Sequence, residues 1–139
     1  RASGVASRTA SEQVLPTSWP LTEAGFVTQA LLGDVAVDHP GLDIAIPAGS
    51  YVRASGTGTV VESGPDEIYG LYLVLDHGEG YRTRYAHASL LLAEQGDVVR
   101  QNEIIALSGS SGRSTAPHLH FEILRDDEPI DPLTMVTQP

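Results

Sequence analysis

The sequence predicts an all-β fold, a sandwich or a barrel, on three observations. Apolar residues recur in short period-two runs. Glycine, proline, aspartate and serine punctuate those runs. No stretch sustains the 3.6-residue period of a long helix. The candidate strands, in order, are 25–31, 42–46, 51–54, 58–62, 71–76, 81–87, 103–108 and 118–124. In the second, Leu42, Ile44 and Ile46 alternate with Asp43 and Ala45, which puts Asp43 opposite an apolar face. In the sixth, Tyr81, Thr83, Tyr85 and His87 share one face, with Arg82 and Arg84 on the other. In the last, Leu119, Phe121 and Ile123 oppose His118, His120 and Glu122. Residues 90–95 admit a single helical turn and nothing longer. Residues 1–20, rich in Ser, Ala and Thr, are expected to form a linker or N-terminal arm, and residues 21–139 the domain. Residues 47–60 and 96–109 echo each other in glycine and valine placement. That echo fits either a pseudo-twofold fold or two unrelated hairpins.

Composition narrows the chemistry. With 139 residues, 41% apolar and 19% charged, the chain is one globular domain large enough to bury a core. Acidic residues outnumber basic ones 18 to 8, a net charge of −10, which argues against nucleic acid or an anionic membrane as the main partner. There is no cysteine and no lysine. Thiol nucleophiles, cysteine zinc sites, Schiff-base lysines and phosphate-loop lysines are therefore excluded. No run reaches the roughly 18–20 apolar residues of a membrane span. A start at Arg1, without methionine or signal peptide, is expected of a fragment or a mature form.

The five histidines carry the functional signal. His118 and His120 lie roughly 6.6 Å apart along one strand face, as a polar cleft lined by sheet would require. The competing reading is an edge strand with solvated rings. His39 and Asp43 stand four apart, but Pro40 disfavours a helix and Gly41 permits a turn that folds His39 back toward Asp43. The competing reading is a turn histidine beside a surface aspartate. His77, at an expected hairpin turn, reads as structural. Two histidines and an aspartate make an open zinc set, whose fourth position takes a water with its pKa lowered from 15.7 to about 7. Other histidines nearby could move protons, since their ordinary pKa is near 6.5. The His-Glu-x-x-His and Gly-x-Ser-x-Gly motifs are both absent. Metal-assisted hydrolysis is the chemistry that remains best supported.

His39-Pro-Gly-Leu-Asp43, Tyr85-Ala-His87 and Gly112-Arg-Ser-Thr-Ala-Pro-His118-Leu-His120-Phe-Glu resemble the lysostaphin/LytM-type zinc endopeptidases of bacterial peptidoglycan. Gly56-Thr-Gly-Thr-Val, Asp76-His-Gly, Gly96-Asp-Val-Val and Ile130-Asp-Pro extend the resemblance over residues 21–136. It implies a β-sheet sandwich with a pseudo-duplicated motif, of the duplicated hybrid motif type, and an active-site groove. It implies one Zn2+ per chain, held by His39, Asp43 and His120. His118 would be general base for the zinc-bound water, with His87 assisting in proton transfer or oxyanion stabilisation. The implied substrate is a peptidoglycan stem peptide or cross-link, with a direct D-alanyl–diaminopimelate link favoured over glycyl bridges. The implied location is the cell envelope, periplasmic or secreted. The alternatives are a non-catalytic module of the same fold that activates a cell-wall amidase or engages a divisome partner, and a sugar-phosphotransfer carrier. The carrier leaves Asp43 unexplained. Some relatives place a tyrosine just before the first zinc histidine. No tyrosine occurs between residues 21 and 50 here, so that oxyanion helper is absent or comes from elsewhere.

Overall fold

Period-two alternation becomes ten antiparallel strands in the computed structural model, which describes residues 14–29, 41–114 and 116–139. They are β1 Phe26–Gln29, β2 Leu42–Ala45, β3 Tyr51–Arg53, β4 Gly58–Ser63 and β5 Leu71–Gly78, followed by β6 Tyr81–Leu91, β7 Val98–Val99, β8 Ile104–Ser108, β9 His118–Arg125 and β10 Glu128–Ile130. The main path runs β1-β2-β9-β6-β5-β4-β7, with β10 on β9 and a branch in which β3 pairs β8 and β8 pairs β6. The path ends at β1 and β7, so among the described residues the sheet is open and not a closed barrel. Val52 on β3 and Ile105 and Ala106 on β8 join Leu42, Leu73, Tyr85 and Phe121 of the main path in one core cluster. Both arms of the sheet close on that core.

The half-repeats pair with each other. β3 lies antiparallel to β8, and β4 to β7, so 47–60 and 96–109 meet in reciprocal order. That is the pairing a pseudo-twofold requires, and it decides against unrelated hairpins.

The expectation of a helical turn at 90–95 fails. Leu90 and Leu91 continue β6 and pair with Leu107 and Ala106 of β8. The cross-strand partners outweigh a weak local preference. The two-residue β7 and the three-residue β10 were too short to show a period. Part of the segment assigned to the N-terminal arm is packed: Trp19 is 2% exposed, and Ser55 Oγ donates to the Ser18 carbonyl. No helix among the described residues is long and apolar enough to cross a membrane.

The apolar face of β9 fixes what its other face presents. Leu119, Phe121 and Ile123 are each 0–1% exposed in the core. A buried side chain of this size contributes about 1.5–3 kcal/mol. A one-residue slip would move all three out of the core onto the polar face, so their burial holds the histidines of β9 on that opposite face.

Candidate active site

Three neighbouring strands bring the site together. Asp43 on β2 is the cross-strand partner of His120 on β9, Ala45 of His118, and Ala86 on β6 partners His120 from the other side. Gly41 makes the β2 approach possible. A Cβ there would lie 2.5 Å from the Phe121 carbonyl oxygen. His120 Nδ1 stands 2.7 Å from Asp43 Oδ1, and His118 Nε2 is 3.6 Å from the same oxygen. The His87 ring centroid is 4.8 Å from that of His118 and 6.2 Å from that of His120. Four of the five expected site residues therefore converge. His39 lies outside the described residues.

His87 reaches this cleft by breaking the strand's alternation. Tyr85, two residues earlier, points into the core, so strict alternation would bury His87 beside it. Instead His87 adopts φ +66°, a conformation uncommon for residues with a side chain and concentrated at functional sites. It is also where β6 changes partner, from β9 through Ala86 to β8 from Ala88. The expectation that His87 shares a face with Tyr85 is corrected accordingly, and Arg84 turns out to lie on the cleft side. His77 keeps its structural reading, but its place at the hairpin turn is corrected. It sits within β5, 2% exposed, with Nδ1 2.9 Å from the Thr57 carbonyl and Nε2 2.8 Å from Thr83 Oγ1. Its role is in the core, away from the cleft.

Hydrogen bonds select the imidazole tautomers. A carbonyl can only accept, so His87 Nδ1 donates to the Ser111 carbonyl at 2.7 Å and His118 Nδ1 donates to that of Ala116 at 2.9 Å. In both neutral rings Nε2 is then the acceptor. Burial, with His118 and His120 nearby, holds His87 below the usual histidine range. His120 moves the other way. Burial alone would lower it, but its bonds to Asp43 and Glu122 push it up to about 9. In metal-free protein that raised value stabilises the fold fully below about pH 6.5 and is lost as pH rises through about 9. The urea midpoint of the metal-stripped chain is expected to fall between pH 6 and 9.5, and His120→Gln to shrink that fall. Equal slopes for parent and variant would overturn this.

Two loops clasp His87. Its backbone N–H donates to the Tyr69 carbonyl, and Arg113 N–H donates to that of Ile68. Ser111 Oγ accepts from Leu71 N–H and donates to the Ala88 carbonyl. Gly112 lies at the junction at φ +74°, where a Cβ would collide with the Gly70 backbone and the Ile68 carbonyl. Gly112→Ala is expected to cost about 1–3 kcal/mol in stability and about 10²-fold in turnover by displacing His87. Thermal unfolding and hydrolysis rates check this, and parental turnover would show that the clasp does not position His87.

The donor set fits a divalent metal such as zinc. Asp43 and His120 offer a carboxylate oxygen and an imidazole nitrogen to one point, and a carboxylate backs the far nitrogen of His120. Among the described residues alone, no three His, Cys, Asp or Glu side chains form a complete metal cluster. Sequence reasoning placed Glu122 on the histidine face but gave it no role. It missed Arg84, Tyr69 and Ser111, whose positions depend on loop closure and on register between distant strands.

An antiparallel β fold with an aspartate and three histidines in one cleft defines a lysostaphin-like peptidase domain. Residues 37–132 match Peptidase family M23, and the chain belongs to that family. It is 42% identical to the peptidoglycan DD-endopeptidase ShyB of Vibrio cholerae over 95 residues, 68% of this chain and 22% of that protein. The chain thus spans about a fifth of the length of such curated relatives. Among solved structures it superposes on a zinc-containing peptidase from Vibrio cholerae with TM-score 0.75 at 34% identity, over 83% of this chain and 38% of that one. The catalytic domain of lysostaphin from Staphylococcus simulans superposes with TM-score 0.65 at 35% identity, over 69% and 77% respectively.

Proposed function

We propose that this chain is the catalytic domain of a zinc-dependent endopeptidase that hydrolyses peptide bonds of bacterial peptidoglycan in the cell envelope. The observation that carries this reading is the convergence of Asp43 Oδ1, His120 Nδ1 and His118 Nε2 within 2.7–3.6 Å. His39, Asp43 and His120 would hold the metal, one ion per chain. Bound there, zinc supplies Lewis-acid activation of water and of the scissile carbonyl.

The remaining steps belong to the protein. His118 Nε2 takes the proton of the attacking water and later returns it to the leaving amine. Its Nδ1–H stays on the Ala116 carbonyl, so the ring does not turn between the two transfers. His87 works in proton transfer in preference to oxyanion stabilisation. With Nδ1 committed to Ser111, its Nε2 can donate only if the ring is protonated, which burial disfavours. Relatives named as peptidoglycan DD-endopeptidases support a direct cross-link between stem peptides as the substrate.

Digesting sacculi with direct cross-links and sacculi with glycine bridges, then identifying the products by mass spectrometry, tests this. Cleavage of direct cross-links is expected. A chain that binds zinc yet releases nothing from either wall would be a binding module and not an enzyme.

A further inference from the structure

Glu122 is a carboxylate buried to 1% exposure. Burying a charge is costly unless something specific uses it. Its Oε2 accepts from His120 Nε2 at 2.7 Å, and its Oε1 accepts from Arg84 Nη1 at 2.6 Å. Arg84 is the direct cross-strand partner of Glu122. Its guanidinium carbon lies 4.6 Å from the Tyr69 ring centroid, and Nη1 donates to the Tyr69 hydroxyl at 3.3 Å. The Tyr69 ring packs over His120 at 6.0 Å and 27°. Among the described residues, Arg84 Nε has no hydrogen-bond partner.

Carboxylates only accept, so in the metal-free protein His120 donates from Nδ1 to Asp43 and from Nε2 to Glu122. A metal held on the Asp43 side would take the place of the Nδ1 proton, and the proton that stays on the ring is the one Glu122 holds on Nε2. We infer that Glu122, seated by Arg84 and with Tyr69 packed over the ring, is a positioning residue that fixes the tautomer and orientation of His120 and thereby sets metal affinity. The inference rests on the zinc reading above and adds a determinant of affinity that touches neither metal nor substrate. It also assigns Tyr69. Its hydroxyl accepts from Arg84 Nη1, which ties it to the guanidinium that seats Glu122.

The test is zinc affinity, measured by competition with a chromophoric chelator on intact, folded chain. Glu122→Gln, which keeps shape and loses charge, is expected to bind zinc about 10–100-fold more weakly. The Nε2 proton of His120 in zinc-loaded parent is expected far downfield in the NMR spectrum and slow to exchange. In the variant it should move upfield and exchange faster, which loss of stability alone would not cause. Should Glu122→Gln not fold, Glu122→Asp keeps the charge against Arg84 but withdraws the carboxylate from Nε2, and should weaken zinc binding about 10-fold. A folded variant with parental affinity and an unmoved Nε2 proton overturns the inference alone. A parent that binds no zinc overturns the functional reading and this inference with it.

Discussion

His118→Ala is expected to keep its zinc and lose peptidoglycan hydrolysis by about 10²–10⁴-fold, or roughly 3–5.5 kcal/mol of barrier. The proposed function casts this residue as a base and not as a ligand. His118 Nε2 is 3.6 Å from Asp43 Oδ1, whereas His120 Nδ1 is at 2.7 Å. Its Nδ1 is held by the Ala116 carbonyl, with Ser114 Oγ at 3.0 Å, which leaves Nε2 to meet a water. An open catalytic site takes three protein ligands, and under the proposed ligand set of His39, Asp43 and His120 the His118 ring would be left to act as a base. His87→Ala should show the same pattern more mildly, since the proposed base is His118 and the His87 ring only neighbours it at 4.8 Å. Zinc content and turnover measured on the same protein batches decide the matter. If His118→Ala lost zinc as completely as a ligand variant, His118 would be a ligand and the division of labour would be wrong.

Wherever one strand carries the whole pattern, the sequence made that part of the site legible. On β9 the apolar set Leu119, Phe121 and Ile123 alternates with His118, His120 and Glu122, and both faces lie where that period puts them. Asp43 is legible for the same reason, because Leu42 and Ile44 mark the buried face of β2. The failures all involve information that is not local. His87 has the parity of Tyr85 but not its direction, because one residue at φ +66° reverses the strand's facing. No period in 81–87 announces that turn. It is imposed by the carbonyls of Tyr69 and Ser111, which arrive from loops far away in the chain. The Arg84–Glu122 pair depends on the register between β6 and β9, separated by 38 residues, and register is set only when the core closes. Residues 90–95 failed through competition: a leucine-rich stretch suits a helical turn until β8 offers Leu90 and Leu91 a ladder. The echo between 47–60 and 96–109 stood undecided in sequence, because the pairing that settles it joins strands from different copies.

Replacing His120 is expected to have the largest effect of all. In His120→Ala the dialysed protein should retain far less than the one zinc per chain of the parent, and hydrolysis should fall to background, because the ligand and the chemistry it supports go together. The alanine also leaves Glu122 Oε2 buried without its donor, at a cost of about 1–3 kcal/mol, so a drop in stability could be mistaken for the cause. His120→Gln separates the two. Its amide can still donate to Glu122, while an amide is a poor substitute for imidazole at zinc. Strand β9 itself should survive in both, since Leu119 and Phe121 stay buried on the opposite face. Asp43→Asn is the companion variant. It preserves shape, removes the anionic oxygen that His118 and His120 both approach, and should lose zinc without unfolding. Elemental analysis of the dialysed variants, beside their unfolding temperatures, provides the measurement. Full zinc in a folded His120→Ala would remove His120 from the ligand set. It would also leave the buried Glu122–Arg84 pair with a structural task only.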